Sequence, residues 1–312
     1  MARLGSLLIL LLAPLASGFT PLSVPTRSSA LQAASTDTDS ASTTTTKGLL
    51  QRDRYIATNR FAVRSGQAAK FEKRWATRKS KLATLDGFRY FHLMRRVTMV
   101  DGTTTVYDEG SNDQQAQENY VSFTIWQRKS DFSAWRTGEA FKEAHGGTSI
   151  GAFLSTMVNS ALVLRGPPRP AFYDGLLVQS TKPESVPDTV DGWRNVEADG
   201  VTTLPTECFV QMVKYFVPLE QAAAFEQSMV PPPPSEGLIA YSLMRRDGQA
   251  KGHGVAEVTS DEPTYVTTYI FANQDAWSQF ATIEPVSTDY STRPPETVLY
   301  EGTLVIASPE GA

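Results

Sequence analysis

Three histidines and one cysteine are all the imidazole and thiol chemistry this chain carries, so any reaction that needs them has few places to occur. His145 is the strongest candidate. It closes a stretch bearing Trp135 and Phe141, where an apolar wall beside one neutral imidazole could hold a flat, metal-bearing ligand. The plainer alternative is a histidine favoured at a helix C-terminus by the backbone dipole. His92 alternates with apolar Phe91 and Leu93, and is expected to face solvent or a sheet-face hydrogen bond rather than a metal; His253 lies in a glycine-rich loop. Cys208, being single, closes no intramolecular disulfide and builds no cysteine zinc site. Gly147-Thr148-Ser149-Ile150-Gly151 matches the hydrolase pattern G-x-S-x-G, but a helix precedes it where a strand is required, and it reads as a break between two helices. Gly248 to Gly254 lacks the phosphate-loop pattern, Pro231 to Pro234 is a rigid spacer, and Asp108-Glu109 reads as solvated loop charge.

The elements that must position these residues follow from periodicity. Tyr55 to Val63 reads as a strand, and Gln67 to Leu82 as an amphipathic helix carrying Phe71, Trp75 and Leu82. Phe88 to Met94 is a second strand, Asp101 to Asn119 a polar hairpin or loop, and Tyr120 to Gln127 a third strand with Val121, Phe123 and Ile125 alternating. Ser130 to His145 is a second helix, capped by Ser130 or Asp131 and ended by Gly146-Gly147. An extra helix from Ser149 to Leu164 puts Phe153 and Met157 on its apolar face, and Phe172 to Gln179 is the closing strand. The order βαββαβ describes a ferredoxin-like α+β unit with helices on one sheet face.

That unit is written twice. Gly87 to Arg96 reads against Gly237 to Arg246, Tyr120 to Trp126 against Tyr265 to Phe271, and Pro167 to Val178 against Pro294 to Val305. The domains are expected at 48–182 and 205–308, joined by a linker over 183–204 and followed by a tail at 309–312. Trp193 in the linker is expected to pack onto one domain. Covering the free face of each sheet with the other's sheet gives two tandem ferredoxin-like units forming a pseudo-dimeric α/β barrel, so a monomer suffices.

The chain of 312 residues is 41 % apolar and 10 % aromatic, which rules out wholesale disorder. Its net charge of −4 argues against a nucleic-acid partner. Met1 and Arg3 before the apolar run Leu7 to Leu12, then Ala16-Ser17-Gly18, read as a signal peptide over 1–18, too short to span a membrane, so no integral membrane segment remains after its removal. Phe19-Thr20-Pro21 opens a Ser/Thr-rich segment, 19–47, too polar to fold. This junction resembles the two-part leaders of algae with secondary plastids, which implies a plastid (chloroplast stroma) location; secretion with a linker is the alternative.

Thr58-Asn59-Arg60-Phe61 and the stretch Trp126 to His145 resemble the antibiotic biosynthesis monooxygenase (ABM) family, and within it the IsdG-type haem-degrading monooxygenases. Both units resemble that family. His145 to Leu177 further resembles the chloroplast haem-oxygenase-like ABM proteins of green algae and plants. The resemblance implies a catalytic Asn, Trp and His at Asn59, Trp135 and His145, with His145 on the haem iron and Phe141, Phe153 and Met157 lining the pocket. Asn59 would aim its amide at the reacting oxygen, and Trp135 would press the porphyrin out of plane. On one ideal helix Trp135 and His145 stand about 15 Å apart in rise and ~80° apart in rotation. The second unit has Val213 opposite Asn59, Phe280 opposite Trp135 and no histidine near Ile283, which implies one active pocket per chain. O2 and an unidentified reductant are the implied co-reactants. A haem or tetrapyrrole carrier or sensor, and a cofactor-free oxygenase of a phenolic or quinol substrate with His145 as base, are the alternatives.

Overall fold

The computed structural model describes residues 48–78, 81–107, 118–144, 161–181, 189, 192–250, 255, 259, 261–280 and 288–308. The first half runs β1 (Arg54–Phe61), α1 (Ala68–Ala76), β2 (Phe88–Val100), β3 (Thr103–Val106), β4 (Tyr120–Trp126), α2 (Lys129–Thr137), α3 (Glu139–Ala144) and β5 (Arg169–Ser180). The second runs β6 (Cys208–Tyr215), α4 (Ala222–Ser228), β7 (Leu238–Arg246), β8 (Tyr265–Phe271), α5 (Gln274–Gln279) and β9 (Glu296–Ala307). The polar segment after β2 starts as a tight hairpin, because Asp101 and Gly102 both take positive φ, 50° and 76°, the geometry of a primed two-residue turn.

Every pairing is antiparallel, and the strands follow the order β3-β2-β4-β1-β5-β7-β8-β6-β9 with β2 also bonded to β9. Setting aside the β3 extension, the sheet therefore closes on itself. The four strands β2-β4-β1-β5 and the four strands β7-β8-β6-β9 are laid out in the same permutation, joined at two seams, β5 to β7 and β9 to β2. Each seam shifts register once, between Leu176 and Gln179 and beside Gly302, and such bulges bend a strand round a barrel corner.

Closure separates three cores. Ile56, Phe123, Val210, Met244 and Val305 fill the interior, drawn from both halves. Tyr55, Phe71, Trp126 and Phe132 lie between the first half's sheet and its helices, and Phe209, Phe225, Tyr269 and Phe271 do the same in the second. Along β1 the two-residue period sends Ile56 inward and Tyr55, Ala57 and Phe61 outward. Trp193 is buried and donates its indole N–H to the Ala76 carbonyl at 3.1 Å, so the described part of the linker packs on the first half.

A pair of buried carboxylates ties the halves together. Glu72 of α1, with no exposed surface, accepts from Arg95 Nη1 at 2.9 Å, Tyr120 OH at 2.7 Å and the Leu204 backbone N–H. Glu226 of α4 accepts from Arg245 Nη1 at 2.9 Å, Tyr265 OH at 2.7 Å and the Leu50 backbone N–H. Leu204 leads into β6 and Leu50 into β1, so each half's lead-in is fastened to the other half's helix. Each arginine then crosses a seam: Arg95 reaches Glu301 at 2.6 Å and Arg245 reaches Asp174 at 3.2 Å.

Three sequence expectations are corrected. The helix from Gln67 stops at Ala76, with a separate 3-10 turn at Leu82–Thr84. The helix expected over Ser130 to His145 breaks at Gly138, whose extended backbone (ψ 172°) ends α2 before α3 begins; α2 starts one residue early and has no side-chain cap. The rise and rotation drawn from one ideal helix therefore do not hold. His92 is not at solvent but wholly buried inside the barrel, edge-on to Tyr90 and Phe123 at 5.3 and 5.0 Å, with Nδ1 3.9 Å from Cys208 Sγ. Of the two surroundings expected for it, solvent is excluded by the closed barrel, and the contact with Cys208 is what remains.

Burial lowers the His92 pKa to about 3, against an unfolded value near 6.5. Above that unfolded value the imidazole is neutral in both states. As pH falls from there towards the folded value only the unfolded chain gains the proton, so stability is lost at ~1.4 kcal/mol per pH unit. Urea midpoints taken across this acid range should fall more steeply for the wild type than for His92→Leu, and parallel profiles would contradict the assignment.

Candidate functional site

Asn59 lies on β1 between Ser122 of β4 and Pro170 of β5. The alternation that turns Tyr55, Ala57 and Phe61 outward puts Asn59 on the same helix-facing side, half-buried. Ala57, Asn59, Ser122 and Thr124 thus make a floor of short side chains. Thr124 is held flat by donating to the Ala57 carbonyl at 3.1 Å.

Two aromatic groups border this floor. On the α1 side Trp75 stacks on Phe91 at 5.7 Å and meets Phe61 edge-on at 5.8 Å. On the α2 side Trp135 stacks on Trp126 at 5.4 Å and 30°, touches Phe132 at 5.7 Å, and meets Phe141 of α3 edge-on at 5.0 Å. The structure therefore brings Trp135 and Phe141 together and puts Asn59 in the same layer. His145, Phe153 and Met157 lie outside the described residues, as do His253, the Gly147 to Gly151 motif and Asp108-Glu109. His145 directly follows the last residue of α3 in the sequence.

The indole nitrogens of Trp126 and Trp135 are both buried and have no hydrogen-bond partner. Unpaired buried donors are costly in water-excluded surroundings, and they are what a planar group presenting an acceptor or a π-face would relieve. The short floor and these two indole donors mark the layer as the candidate ligand site. The corresponding surface of the second half is filled by its own side chains: Gln211 stands where Ala57 does and accepts from Trp277 Nε1 at 2.6 Å, and Tyr269 stands where Thr124 does, its ring 5.0 Å from Tyr241. Both are buried, and Val213 replaces Asn59. The floor residues were missed in the sequence reading; comparing Ala57 with Gln211 and Thr124 with Tyr269 in the repeat carried the signal.

At the rim, Asp247 accepts from Lys129 Nζ at 2.7 Å and from Tyr55 OH at 3.1 Å. Burial works to raise the Asp247 pKa, but Lys129 and Tyr55 outweigh it and hold the carboxyl below its usual range. Burial, then Asp247, pushes the Tyr55 hydroxyl well up. Among the described residues no group of three His, Cys, Asp or Glu side chains could hold a bare metal ion, and no helix is long and apolar enough to cross a membrane.

A ferredoxin-like α+β unit, its sheet antiparallel and closed into a barrel, with a candidate ligand layer between sheet and helices, defines the class of protein. The sequence profile of the antibiotic biosynthesis monooxygenase family matches residues 54–147, the stretch that contains Asn59, Trp135 and His145. A haem oxygenase (staphylobilin-producing) of Staphylococcus haemolyticus is 33 % identical over 91 residues, 29 % of this chain and 72 % of that protein. A second, from Staphylococcus saprophyticus, is 35 % identical over 95 residues, 30 % of this chain and 76 % of that one. The chain belongs to the antibiotic biosynthesis monooxygenase family. A solved structure of an anthrone oxidase-like protein overlaps 85 % of this chain and 97 % of its own at a TM-score of 0.41 and 12 % identity, too distant to argue from.

Proposed function

We propose that this chain is a haem-binding monooxygenase that oxidatively opens the porphyrin ring, with a single working pocket in its first ABM unit, residues 48–182. The observation that carries the reading is the low floor with Asn59, bordered by Phe141 and by Trp135 and Trp126, whose buried indole N–H groups have no partner among the described residues, inside the stretch matched by the family profile, in a chain similar to two proteins named as haem oxygenases. Residues 205–308 are then a second, degenerate copy, joined by the linker 183–204. The identical strand permutation and the mirrored Glu72 and Glu226 networks support this internal pseudo-dimer. Residues 1–18 and 19–47 act as a plastid-directing leader in the same reading.

Haem is here the substrate, and it also supplies the iron at which O2 is activated; an external reductant provides electrons. His145, which lies outside the described residues, would hold the iron through a neutral ring nitrogen, as the family resemblance implies. Asn59 offers an amide N–H to the charge that develops on oxygen, and the strand backbone fixes where that donor points. Trp135, backed by Trp126 and Phe132, gives one face of the macrocycle an unyielding surface. Phe141 would exclude water from the layer, a role the resemblance extends to Phe153 and Met157. The binding energy comes from covering a large apolar ring at ~25 cal/mol per Å².

Titration with haemin followed by visible absorption tests the reading. The wild type should develop a Soret band that His145→Ala fails to develop, and the band should decay to a bilin-type spectrum under reductant and oxygen. A band that persists identifies a carrier or sensor instead, and no band in the wild type removes haem and leaves the cofactor-free oxygenase.

A further inference from the structure

We propose that the second half is a working part of the first half's site: Asp247, from the loop after β7, fastens helix α2 to the sheet and is a positioning residue for Trp135. This deepens the reading above and rests on the same site, but reaches a residue outside the stretch matched by the family profile.

The Asp247 side chain is 8 % exposed and its polar contacts are complete. Oδ2 accepts from Lys129 Nζ and Tyr55 OH, Oδ1 accepts from the Gln249 N–H at 3.1 Å, and its own N–H donates to the Phe172 carbonyl at 2.9 Å. Lys129 is the first residue of α2 and its ammonium also lies 5.5 Å from the Tyr55 ring centre. Trp135 follows six residues later, about 9 Å along the axis. A second route joins the same groups: Tyr55 packs on Phe132 at 5.4 Å, and Phe132 on Trp135. Ala250 and Val255 of the same loop pack against this core. One carboxylate from the second half thus touches both the start of α2 and the strand beneath it.

The mirror position makes the point sharper. The first half also reaches across, since Gln274 of α5 donates to the Gly102 carbonyl at 3.1 Å, but that contact is neutral. Where the second half has Arg245-Arg246-Asp247, the first has Arg95-Arg96-Val97, and Val97 is buried against the second half's apolar core. Of these two contacts across the halves, only that of Asp247 is charge-assisted. Asp247 is buried while Lys129 keeps 40 % of its side chain at solvent, so the bond is only partly shielded, but being charge-assisted it is stronger than a neutral one and ties down the first residue of the helix that presents the indole.

The test uses the full chain and two readouts. Acrylamide quenching of tryptophan fluorescence, with Trp135→Phe versions subtracted to isolate that residue, reports α2 without any ligand. Asp247→Ala should raise Trp135 quenching and weaken haemin affinity about tenfold, the loss of a charge-assisted contact. The charge exchange Lys129→Glu with Asp247→Lys returns the ion pair but not the acceptor for the Tyr55 hydroxyl and the Gln249 N–H, so it should restore part of both, which general loss of packing would not allow. Unchanged quenching in Asp247→Ala overturns the proposal whatever happens to haemin. If the wild type binds no haemin, the functional reading fails while the quenching result still decides the role of Asp247. If Asp247→Ala does not fold, Asp247→Asn, which keeps the shape and drops the charge, takes its place, and failure of the exchange to restore quenching counts against the proposal.

Discussion

Glu72→Gln lowers stability by about 3–5 kcal/mol, the range found when one partner of a buried ion pair is removed. Glu72 has no exposed surface, and three donors converge on its two oxygens: the Arg95 guanidinium, the Tyr120 hydroxyl and the Leu204 N–H. Glutamine keeps the volume but replaces one acceptor with a donor that faces other donors. Arg95 retains Glu301, so it is left half-compensated instead of bare, which places the loss toward the lower end of the range. Removing both charges with Glu72→Gln and Arg95→Met should recover part of the loss, because an apolar replacement removes the unmatched charge. Glu226→Gln should cost a similar amount, since its donors sit at matching distances. Urea midpoints of the four proteins check this, and a shift of Glu72→Gln within ~0.5 kcal/mol of wild type contradicts it.

Asn59→Ala leaves folding and haemin binding nearly intact while lowering turnover about a hundred- to a thousandfold, the usual effect of deleting one donor aimed at developing charge. The contrast with Asn119 explains why. The Asn119 amide is fully engaged, accepting from the Val63 N–H at 2.7 Å and donating to the Val63 carbonyl at 2.9 Å. The Asn59 amide has no such partner among the described residues and is half-buried on the floor of the layer. Replacing it removes no bond that holds the fold, so a loss confined to the reaction is the signature of a functional donor. Soret titration gives the affinity and reductant-driven decay gives the rate; undiminished decay in Asn59→Ala ends its assignment.

The antiparallel α+β sheet and its closure were legible because Gly87 to Arg96 reads against Gly237 to Arg246 and two sheets with one exposed face each have few ways to cover them. The aromatic wall was legible for the same reason that helices are: Phe132 and Trp135 recur at helical spacing. The break at Gly138 was not, since a single glycine is tolerated inside a helical pattern and only its ψ decides the matter. His92 was placed at solvent or a sheet-face hydrogen bond although the expected barrel covers both faces of its strand, and alternation alone does not say which covered face takes the imidazole. The floor and the Asp247 contact depend on residues distant in sequence meeting across strands, and no local pattern marks Ala57, Thr124 or Asp247 as unusual.

The crossed lead-ins set an order on biosynthesis. Leu50 meets Glu226 across 176 positions of chain, so the earliest folded segment to leave the ribosome finds its permanent partner only after most of the protein has been made. A single cleavage in the connection between the halves is therefore expected to leave two fragments held together by these crossed contacts.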